Sequence, residues 1–272
     1  MPHHTNVRLT PSGRQQARFR PTGGRLVSRT FDTASEAHAW LAEQQEAVRV
    51  GRWASPSAGA TLFSERARTW LDQRVNVRAS TLVRDETDLR RHVLSAFGPR
   101  ALVSNEQPEI CAWVKQLVDQ GLAPATVHKC YQLLTAVMTS AVDARLITHH
   151  PCHNVPLPRI VQKEMRFLAP KQVRTQAESV PDRYRALVWL GCYAGLRIGE
   201  LAGLNRRHLD LADLARARVT VEQIAIEVRG ELHIGPPKTE RSRRSIPLPP
   251  PVAAVLVRHL CEYVALEESA PV

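Results

Sequence analysis

The chain of 272 residues is long enough for two or three domains, and its hydrophobic share of 43% excludes a globally disordered protein. A formal net charge of +11 favours a polyanionic partner. The N-terminus lacks a secretory signal, and no stretch approaches the roughly 18 apolar residues that a membrane span needs. The five scattered cysteines lack Cys-x-x-Cys spacing. These features predict a cytoplasmic protein with reduced thiols.

Residues 1–53 have the pattern of a small, basic α+β domain. The alternating pieces at 16–20 and 25–31 flank a Gly-rich turn and predict a hairpin. Thr33 and Glu36 follow at capping-box spacing, which predicts a helix start. Eight arginines against one aspartate and three glutamates give this segment a net charge of +4, which suits a sheet lying in a DNA groove. A solvated basic face is the alternative. The candidate DNA contacts here are Arg18, Arg20, Arg25 and Arg29.

Residues 61–150 are predicted to form an all-α domain. Apolar residues recur at helical spacing over 62–71, and again over 127–142 after the helix-starting Pro124. We interpret these apolar stripes as the core of the domain and not as ligand-binding positions. Three to five short helices should result.

Two breaker-rich stretches, 54–60 and 151–164, predict linkers on either side of the helical domain. The second begins beside a cluster of His and Cys at 149–153, and these residue types are the usual zinc ligands. Adjacent residues cannot all converge on one ion, and no second ligand pair follows at zinc-finger spacing. We therefore expect no metal site.

The part from residue 165 onwards mixes helices and strands. Pro170 should start a helix, and the almost wholly apolar run at 184–193 predicts a buried one. The predicted strands are 219–228, 232–234 and 244–248, and a final helix is predicted over 252–266.

Two cationic residues in this part have contexts that suggest chemistry. Arg197 closes the apolar run between two glycines, and Glu200 lies three positions on as a local partner. A buried Arg–Glu bridge between helices is the alternative for Arg197. Lys238 is predicted at a hairpin tip, and only five of the 37 basic residues are lysines. A lysine can give up its proton, whereas an arginine effectively cannot; a solvated basic turn is the alternative. Neighbouring candidate DNA contacts are Arg241, Arg243 and Arg244.

These segments resemble the tyrosine recombinase and phage integrase family. The string Tyr-Ala-Gly-Leu-Arg-Ile-Gly-Glu-Leu at 193–201 resembles the family's first catalytic-arginine box. Pro-Lys-Thr at 237–239 and Arg-Arg-Ser-Ile-Pro-Leu at 243–248 resemble its β-hairpin lysine and the strand that follows. The resemblance implies a multidomain, mainly α protein. Its parts would be a small α+β arm-site-binding domain (1–53), a linker (54–60), an all-α, SAM-like core-binding domain (61–150), a linker (151–164) and a partial α+β catalytic domain (165–272).

The resemblance also implies a reaction, in which a tyrosine attacks a DNA phosphodiester to give a 3′-phosphotyrosine and a free 5′-hydroxyl. Arg197 would clamp the non-bridging oxygens, Lys238 would protonate the departing 5′ oxygen, and Glu200 would orient the arginine. No cofactor or metal is implied. The implied partner is double-stranded DNA carrying attachment sites, bound by a homo-tetramer in the full-length family.

The family's His-x-x-Arg box and nucleophilic tyrosine have no counterpart in these residues. Tyr263 comes too early in the sequence and inside a predicted helix, so we do not expect it to be the nucleophile. We expect a catalytically incomplete, prophage-type integrase that binds DNA. The alternatives are a non-catalytic DNA-binding protein, either an integrase relic or a competitor for integrase sites, and a transcription regulator that uses the helical domain.

Overall fold

The computed structural model describes residues 4–21, 25–51, 53, 58–162 and 164–272. It divides into two compact units, Met1–Val161 and Gln162–Val272. The described residues are mainly helical with small antiparallel sheets, in agreement with the predicted class. No helix among them has both the length and the apolarity to cross a membrane.

The first unit begins with a three-stranded antiparallel sheet in the order β1-β2-β3. Its strands are β1 (His4–Leu9), β2 (Gln15–Arg20) and β3 (Val27–Phe31). The predicted hairpin is present as β2 and β3, its turn residues 22–24 lie outside the described part, and β1 is an addition to the prediction. One sheet face is buried because Ala17 and Phe19 alternate with polar neighbours and pack on Ala37 and Leu41.

The helix α1 (Ala34–Arg49) covers that face, and the predicted capping box begins it. Glu36 N donates to Thr33 Oγ1 and Thr33 N donates to Glu36 Oε2, both at 3.2 Å. Trp53 contacts both the helix and the sheet. Its Nε1 donates to Gln44 Oε1 of α1 at 3.1 Å, and its ring centroid lies 6.0 Å from that of Phe19 in β2.

The helices predicted between 61 and 150 are confirmed. They are α2 (Phe63–Asp72), α3 (Ala79–Asp88), α4 (Leu94–Phe97), α5 (Gln107–Asp119) and α6 (Pro124–Asp143). A π-helical turn, Leu89–Val93, joins α3 to α4. Trp113 Nε1 donates to the carbonyl oxygen of His92 in this turn at 3.1 Å, so the widened turn is tied to α5. The apolar stripes form one core, with Phe97 and Leu134 among its fully buried members.

A charged cluster lies inside this helical core. Asp85 is only 1% exposed; its Oδ2 accepts from Arg74 Nη1 at 2.6 Å, and its Oδ1 forms an ion pair with Lys129 Nζ at 2.8 Å. Burial raises the pKa of Asp85, but hydrogen bonds and charges from Lys129 and Arg74 outweigh it and hold the pKa below its ordinary value. The cluster therefore ties α3 to α6 and to the turn after α2.

Of the two predicted linkers, residues 54–57 and Lys163 lie outside the described part. Within the first unit, Gly59 O accepts from Val103 N at 3.1 Å, so the end of the first stretch joins the helical core. Cys152 and Leu157 from the second stretch also pack against that core. The two compact units divide after Val161, within the second stretch.

The second unit alternates helices with two small sheets. Its helices are α7 (Pro170–Glu178), α8 (Arg185–Tyr193), α9 (Ile198–Ala202) and α10 (Pro250–Tyr263). Its strands are β4 (Leu209–Asp210), β5 (Arg218–Val221), β6 (Ile224–Val228), β7 (Glu231–Gly235) and β8 (Arg244–Pro247). One sheet has the order β4-β5-β8, and β6 pairs with β7 alone.

The prediction of one strand over 219–228 is wrong. The chain leaves β5 at Glu222 because Gln223 Nε2 donates to Gly203 O at 2.8 Å and to Asn205 Oδ1 at 3.3 Å. These bonds turn the chain towards α9, so β6 belongs to a different sheet from β5.

The prediction that 184–193 forms a wholly buried helix is also wrong in part. Ala186 and Leu190 of α8 are buried, whereas Leu187 is 37% and Tyr193 36% exposed. Helix α8 packs against α7, α9 and α10, and this packing covers only part of its surface. The Tyr193 ring stacks on the Trp189 ring of the same helix, with 5.3 Å between the ring centroids, and remains partly exposed.

The Asp85 cluster generates a stability prediction. Replacement Asp85→Asn should lower the free energy of unfolding by about 2–4 kcal/mol, because it leaves two half-buried cations without a counter-charge. Urea denaturation followed by circular dichroism measures the change. The matched control is Asp119→Asn, which breaks an exposed pair with Lys115 and should cost no more than about 0.5 kcal/mol. Equal losses in both variants would contradict a special role for the buried cluster.

Candidate active site

Arg197 lies at the N-terminus of α9, directly after a sharp reversal of the chain. Gly195 makes that reversal with φ of +62°, a conformation that a residue with a Cβ adopts only at a cost. Arg197 N donates to Glu200 Oε2 at 2.9 Å, so the glutamate caps the helix that carries the arginine. The side chain of Arg197 is 77% exposed and donates from Nη1 to Glu200 Oε1 at 3.1 Å.

Close packing holds α9 against β6. A Cβ on Gly203 would lie 2.8 Å from Ile224 Cα, so only a glycine allows the two backbones to approach in this way. The arginine-bearing helix is therefore set against strand backbone, which leaves little freedom for it to move.

The buried partner of Glu200 is Arg244, at the start of β8. Arg244 Nη1 donates to Glu200 Oε1 at 3.0 Å and Nη2 donates to Oε2 at 2.9 Å, a two-pronged ion pair. The Glu200 side chain is 3% exposed and that of Arg244 29% exposed. A buried Arg–Glu bridge was the alternative interpretation of Arg197. The structure forms that bridge with Arg244 instead, while Arg197 remains at the surface. The sequence alone predicts only a DNA contact for Arg244.

This pair controls the ionisation of the carboxylate. The hydrogen bond from Arg244 lowers the pKa of Glu200, burial opposes that effect, and the bonds from Arg197 add to it; the resulting pKa is about 2. Glu200 is therefore a permanent anion at neutral pH. It neutralises one of the two guanidinium groups that contact it.

The prediction that Lys238 lies at a hairpin tip is wrong. The tip of the β6–β7 hairpin is formed by Arg229 and Gly230, both with positive φ, and Lys238 follows β7 in the loop towards β8. β8 pairs with β5 and not with β7, because the chain crosses to the other sheet. Lys238 is exposed, and a hydrogen bond of 2.9 Å between the hydroxyls of Thr239 and Ser242 closes the loop beside it.

A cleft of about 490 Å³ opens between this loop and the start of α9. Its lining residues are Gly195, Arg197, Thr239, Arg241, Ser242 and Arg244. Three guanidinium groups and two hydroxyls in one cleft match the needs of a phosphodiester anion, and Lys238 directly precedes the lining residue Thr239. Arg243 is exposed nearby but does not line the cleft.

Neither a tyrosine beside the cleft nor a cluster of metal ligands is found among the described residues. All four tyrosines of the chain lie within the described residues, and none lines the cleft. Within the same described part, no three potential metal ligands come together. His150, from the cluster tested for zinc, instead contacts the Thr139 hydroxyl through Nε2 at 3.1 Å and accepts from Cys152 N at 3.1 Å.

The predicted DNA contacts of the N-terminal sheet do not share one face. Residues opposite one another in the ladder point the same way, and Arg18 is opposite Ser28 while Arg29 is opposite the buried Ala17. Arg20 shares the face of Arg18. Arg29 therefore lies on the helix-facing side of the sheet, at its exposed edge, and its guanidinium lies over the ring of Phe31. Arg25 lies before β3 and is exposed.

The register also reveals a residue that sequence reasoning missed. Arg8 of β1 is opposite Gln16 and donates from Nε to Gln16 Oε1 at 2.9 Å, so it belongs to the face of Arg18 and Arg20. The alternation of Val7, Arg8 and Leu9 was the available signal. We call this surface the outer face; its members in the described strands are Asn6, Arg8, Gln16, Arg18, Arg20, Ser28 and Thr30.

Comparisons with known proteins agree with this arrangement. Residues 5–49 match the family model "Phage integrase, N-terminal domain". The chain is 26% identical over 273 residues to the integrase of Mycobacterium phage D29, covering 97% of this chain and 72% of that protein. It is 28% identical over 268 residues to the putative prophage phiRv2 integrase of Mycobacterium tuberculosis, covering 95% and 69%.

A solved structure of the Tn1549 transposon integrase superposes with a TM-score of 0.64 at 20% identity, covering 74% of this chain. The match covers 65% of that solved chain, which comprises residues 82–397 of the Tn1549 integrase. The likeness defines the class: this is an integrase fold. Over most of its length the chain is similar to phage integrases and to a tyrosine recombinase, and its residues 5–49 carry the match to the phage integrase N-terminal domain.

The depressed pKa of Glu200 generates a pH prediction. Its contribution to stability is fully present above the ordinary glutamate pKa of 4.5 and is lost as the pH falls towards about 2. The difference in unfolding free energy between wild type and Glu200→Gln should therefore shrink by roughly 2 kcal/mol between pH 6 and pH 3. Urea denaturation at each pH measures it. For Glu231→Gln, on the exposed strand β7, the difference from wild type should stay within about 0.5 kcal/mol at both pH values, and a constant Glu200→Gln difference would refute the assignment.

Proposed function

We propose that this chain has the DNA-binding and phosphate-holding parts of a phage-integrase-like, site-specific DNA recombinase, a type of enzyme that acts on attachment sites through a 3′-phosphotyrosine. The cleft at the start of α9 carries the proposal, because it places the exposed Arg197 and Arg241 where a phosphodiester would fit, with Arg244 bound to Glu200 in its lining. The proposed organisation is an arm-site-binding domain at 1–53, a core-binding domain at 61–150 and a catalytic part from 165, with linkers at 54–60 and 151–164.

The outer face is proposed to bind double-stranded DNA. It carries Arg8, Arg18 and Arg20 together with amide and hydroxyl side chains, and no carboxylate belongs to it in the described strands. Arginine, asparagine and glutamine are the side chains that contact phosphates and base edges in the major groove. The similar Tn1549 integrase (residues 82–397) was solved in complex with a circular intermediate DNA, which supports DNA as the partner of the chain as a whole.

At the cleft, Arg197 is proposed to hold the scissile phosphate. Its exposed guanidinium keeps donors free beyond the one used on Glu200, and the transition state concentrates negative charge on the non-bridging oxygens. Lys238 is proposed to deliver the proton to the departing 5′ oxygen, since its loop borders the cleft and its ammonium group can release a proton. The attacking tyrosine, which would form the new bond to phosphorus as the 5′ oxygen leaves, is not among the residues that line the cleft.

We further propose that these 272 residues on their own bind DNA without cutting it. They hold no His-x-x-Arg sequence, and their tyrosines lie away from the cleft, so neither a second arginine of that box nor a nucleophile is supplied to the phosphate. The competing proposal is a non-catalytic DNA-binding protein that occupies integrase sites. The two share the DNA partner and differ in whether the cleft serves to hold a scissile phosphate.

A covalent-trapping experiment tests the chemistry. The chain is incubated with a pool of nicked duplexes that carry a randomised core, and adducts are separated on a denaturing gel. We expect no adduct from the 272 residues, because no tyrosine reaches the cleft. An adduct that disappears in Arg197→Gln would overturn the proposal that these residues do not cut, and it would exclude the competing non-catalytic function.

Binding to a duplex of arbitrary sequence tests the outer face, because phosphate contacts are independent of sequence. Arg20→Gln should weaken binding and lower the slope of log K against log salt by about one unit, as expected when one phosphate contact is lost. Fluorescence anisotropy between low and moderate salt measures both. Arg29→Gln is the matched control: it removes an exposed arginine from the same sheet but from the opposite side, and it should leave the slope unchanged. Equal effects of the two replacements would show that the outer face does not bind DNA.

A further inference from the structure

We propose that Arg244 is a positioning residue that couples the lysine loop, residues 236–243, to Arg197, rather than a phosphate ligand. The inference rests on the proposed function, since it names what holds that site together. It assigns a role to a residue whose sequence context suggested only a DNA contact.

The hydrogen bonds of Arg244 carry the first step of the argument. Its Nη1 donates to Glu200 Oε1 at 3.0 Å and to the Ser242 carbonyl at 3.1 Å, and its Nη2 donates to Glu200 Oε2 at 2.9 Å. Three of the five N–H donors of its guanidinium are therefore committed to the protein. Arg197 commits one donor from its side chain and remains 77% exposed.

Charge gives the second step. Glu200 is ionised and buried, and its two-pronged partner is Arg244, so these two groups form a neutral pair. Because the carboxylate is neutralised in this way, Arg197 keeps its positive charge available at the cleft. Without Arg244, Glu200 would have Arg197 as its remaining ion-pair partner in the described part and would draw that guanidinium away from a phosphate.

The loop gives the third step. Ser242 N donates to Thr239 O at 2.9 Å, and the two hydroxyls lie 2.9 Å apart, so the turn that follows Lys238 is closed on itself. Arg244 holds the end of that turn through the Ser242 carbonyl. One continuous set of contacts therefore joins Arg197, through Glu200 and Arg244, to the residue next to Lys238.

Pyridoxal 5′-phosphate is a suitable probe, because its phosphate can occupy the cleft while its aldehyde forms an imine with a lysine amine, releasing water. Borohydride reduction fixes the imine, and mass spectrometry reads each of the five lysines separately. Lys171, exposed at the start of α7, is the internal reference. In wild type we expect Lys238 to react about tenfold faster than Lys171, and excess inorganic phosphate to remove the preference.

In Arg244→Gln the preference for Lys238 should fall to within about twofold of Lys171, because the loop and Arg197 are no longer held together. The absence of a preference in wild type would contradict the anion site, and with it the proposed function. A preference that is present in wild type and unchanged in Arg244→Gln would overturn the positioning role alone.

Salt dependence of DNA binding separates positioning from direct contact. A phosphate ligand lost from the interface lowers the slope of log K against log salt by about one unit. We expect Arg244→Gln to leave the slope unchanged, and the exposed neighbour Arg243, replaced by Gln, serves as the comparison. A slope lowered by Arg244→Gln would show that Arg244 contacts phosphate and would overturn the proposal.

Arg244→Gln leaves a buried carboxylate without its main partner and could prevent folding. The double variant Glu200→Gln with Arg244→Met removes both charges and fills similar space, so it keeps the test valid. If its thermal unfolding is cooperative, its Lys238 preference should also be lost. A folded double variant that keeps the full preference would overturn the positioning role.

Discussion

A buried carboxylate shared by two guanidinium groups is the interaction on which the candidate site depends. Glu200 is 3% exposed at its side chain, and an ionised group in such a place is unfavourable unless its lone pairs are all engaged. Arg244 engages both oxygens, while Arg197 supplies a backbone and a side-chain donor. Because the carboxylate of Glu200 needs these hydrogen bonds, the position of α9 is fixed relative to β8.

The backbone around this carboxylate is arranged to bring those donors in. Gly195 reverses the chain so that Arg197 begins a new helix, and Gly203 lets that helix approach β6. Gln223 then diverts the chain between sheets, which leaves β8 free to pair with β5 and to present Arg244. These three residues act on the course of the backbone. Together they determine that Arg244 is the more buried arginine and that Arg197 is exposed at the cleft.

How much the sequence predicts depends on how local the cause is. The capping box of Thr33 and the helix start at Pro124 were predicted because their partners lie within a few positions. The pairing of Glu200 with Arg244 spans 44 positions and depends on a strand that crosses between sheets, so no periodicity could reveal it. For the same reason Lys238 was expected at a hairpin tip: a β7–β8 pairing is the simplest assumption for consecutive strands, and here the chain does not follow it.

The two cationic surfaces of the chain differ in a way that suits the two parts of the proposed function, which are binding along DNA and holding a single phosphate. On the outer face, Arg8, Arg18 and Arg20 lie among neutral polar groups, so their charges add and attract any phosphate backbone. In the cleft, a carboxylate cancels one guanidinium and leaves Arg197 as an oriented charge. The added charges of the outer face would raise affinity for DNA, whereas the cancelled charge of Arg244 leaves Arg197 as a single cation of fixed orientation. An arginine added to the outer face would strengthen binding, but one that replaced Glu200 would leave Arg197 and Arg244 repelling each other with no common anchor.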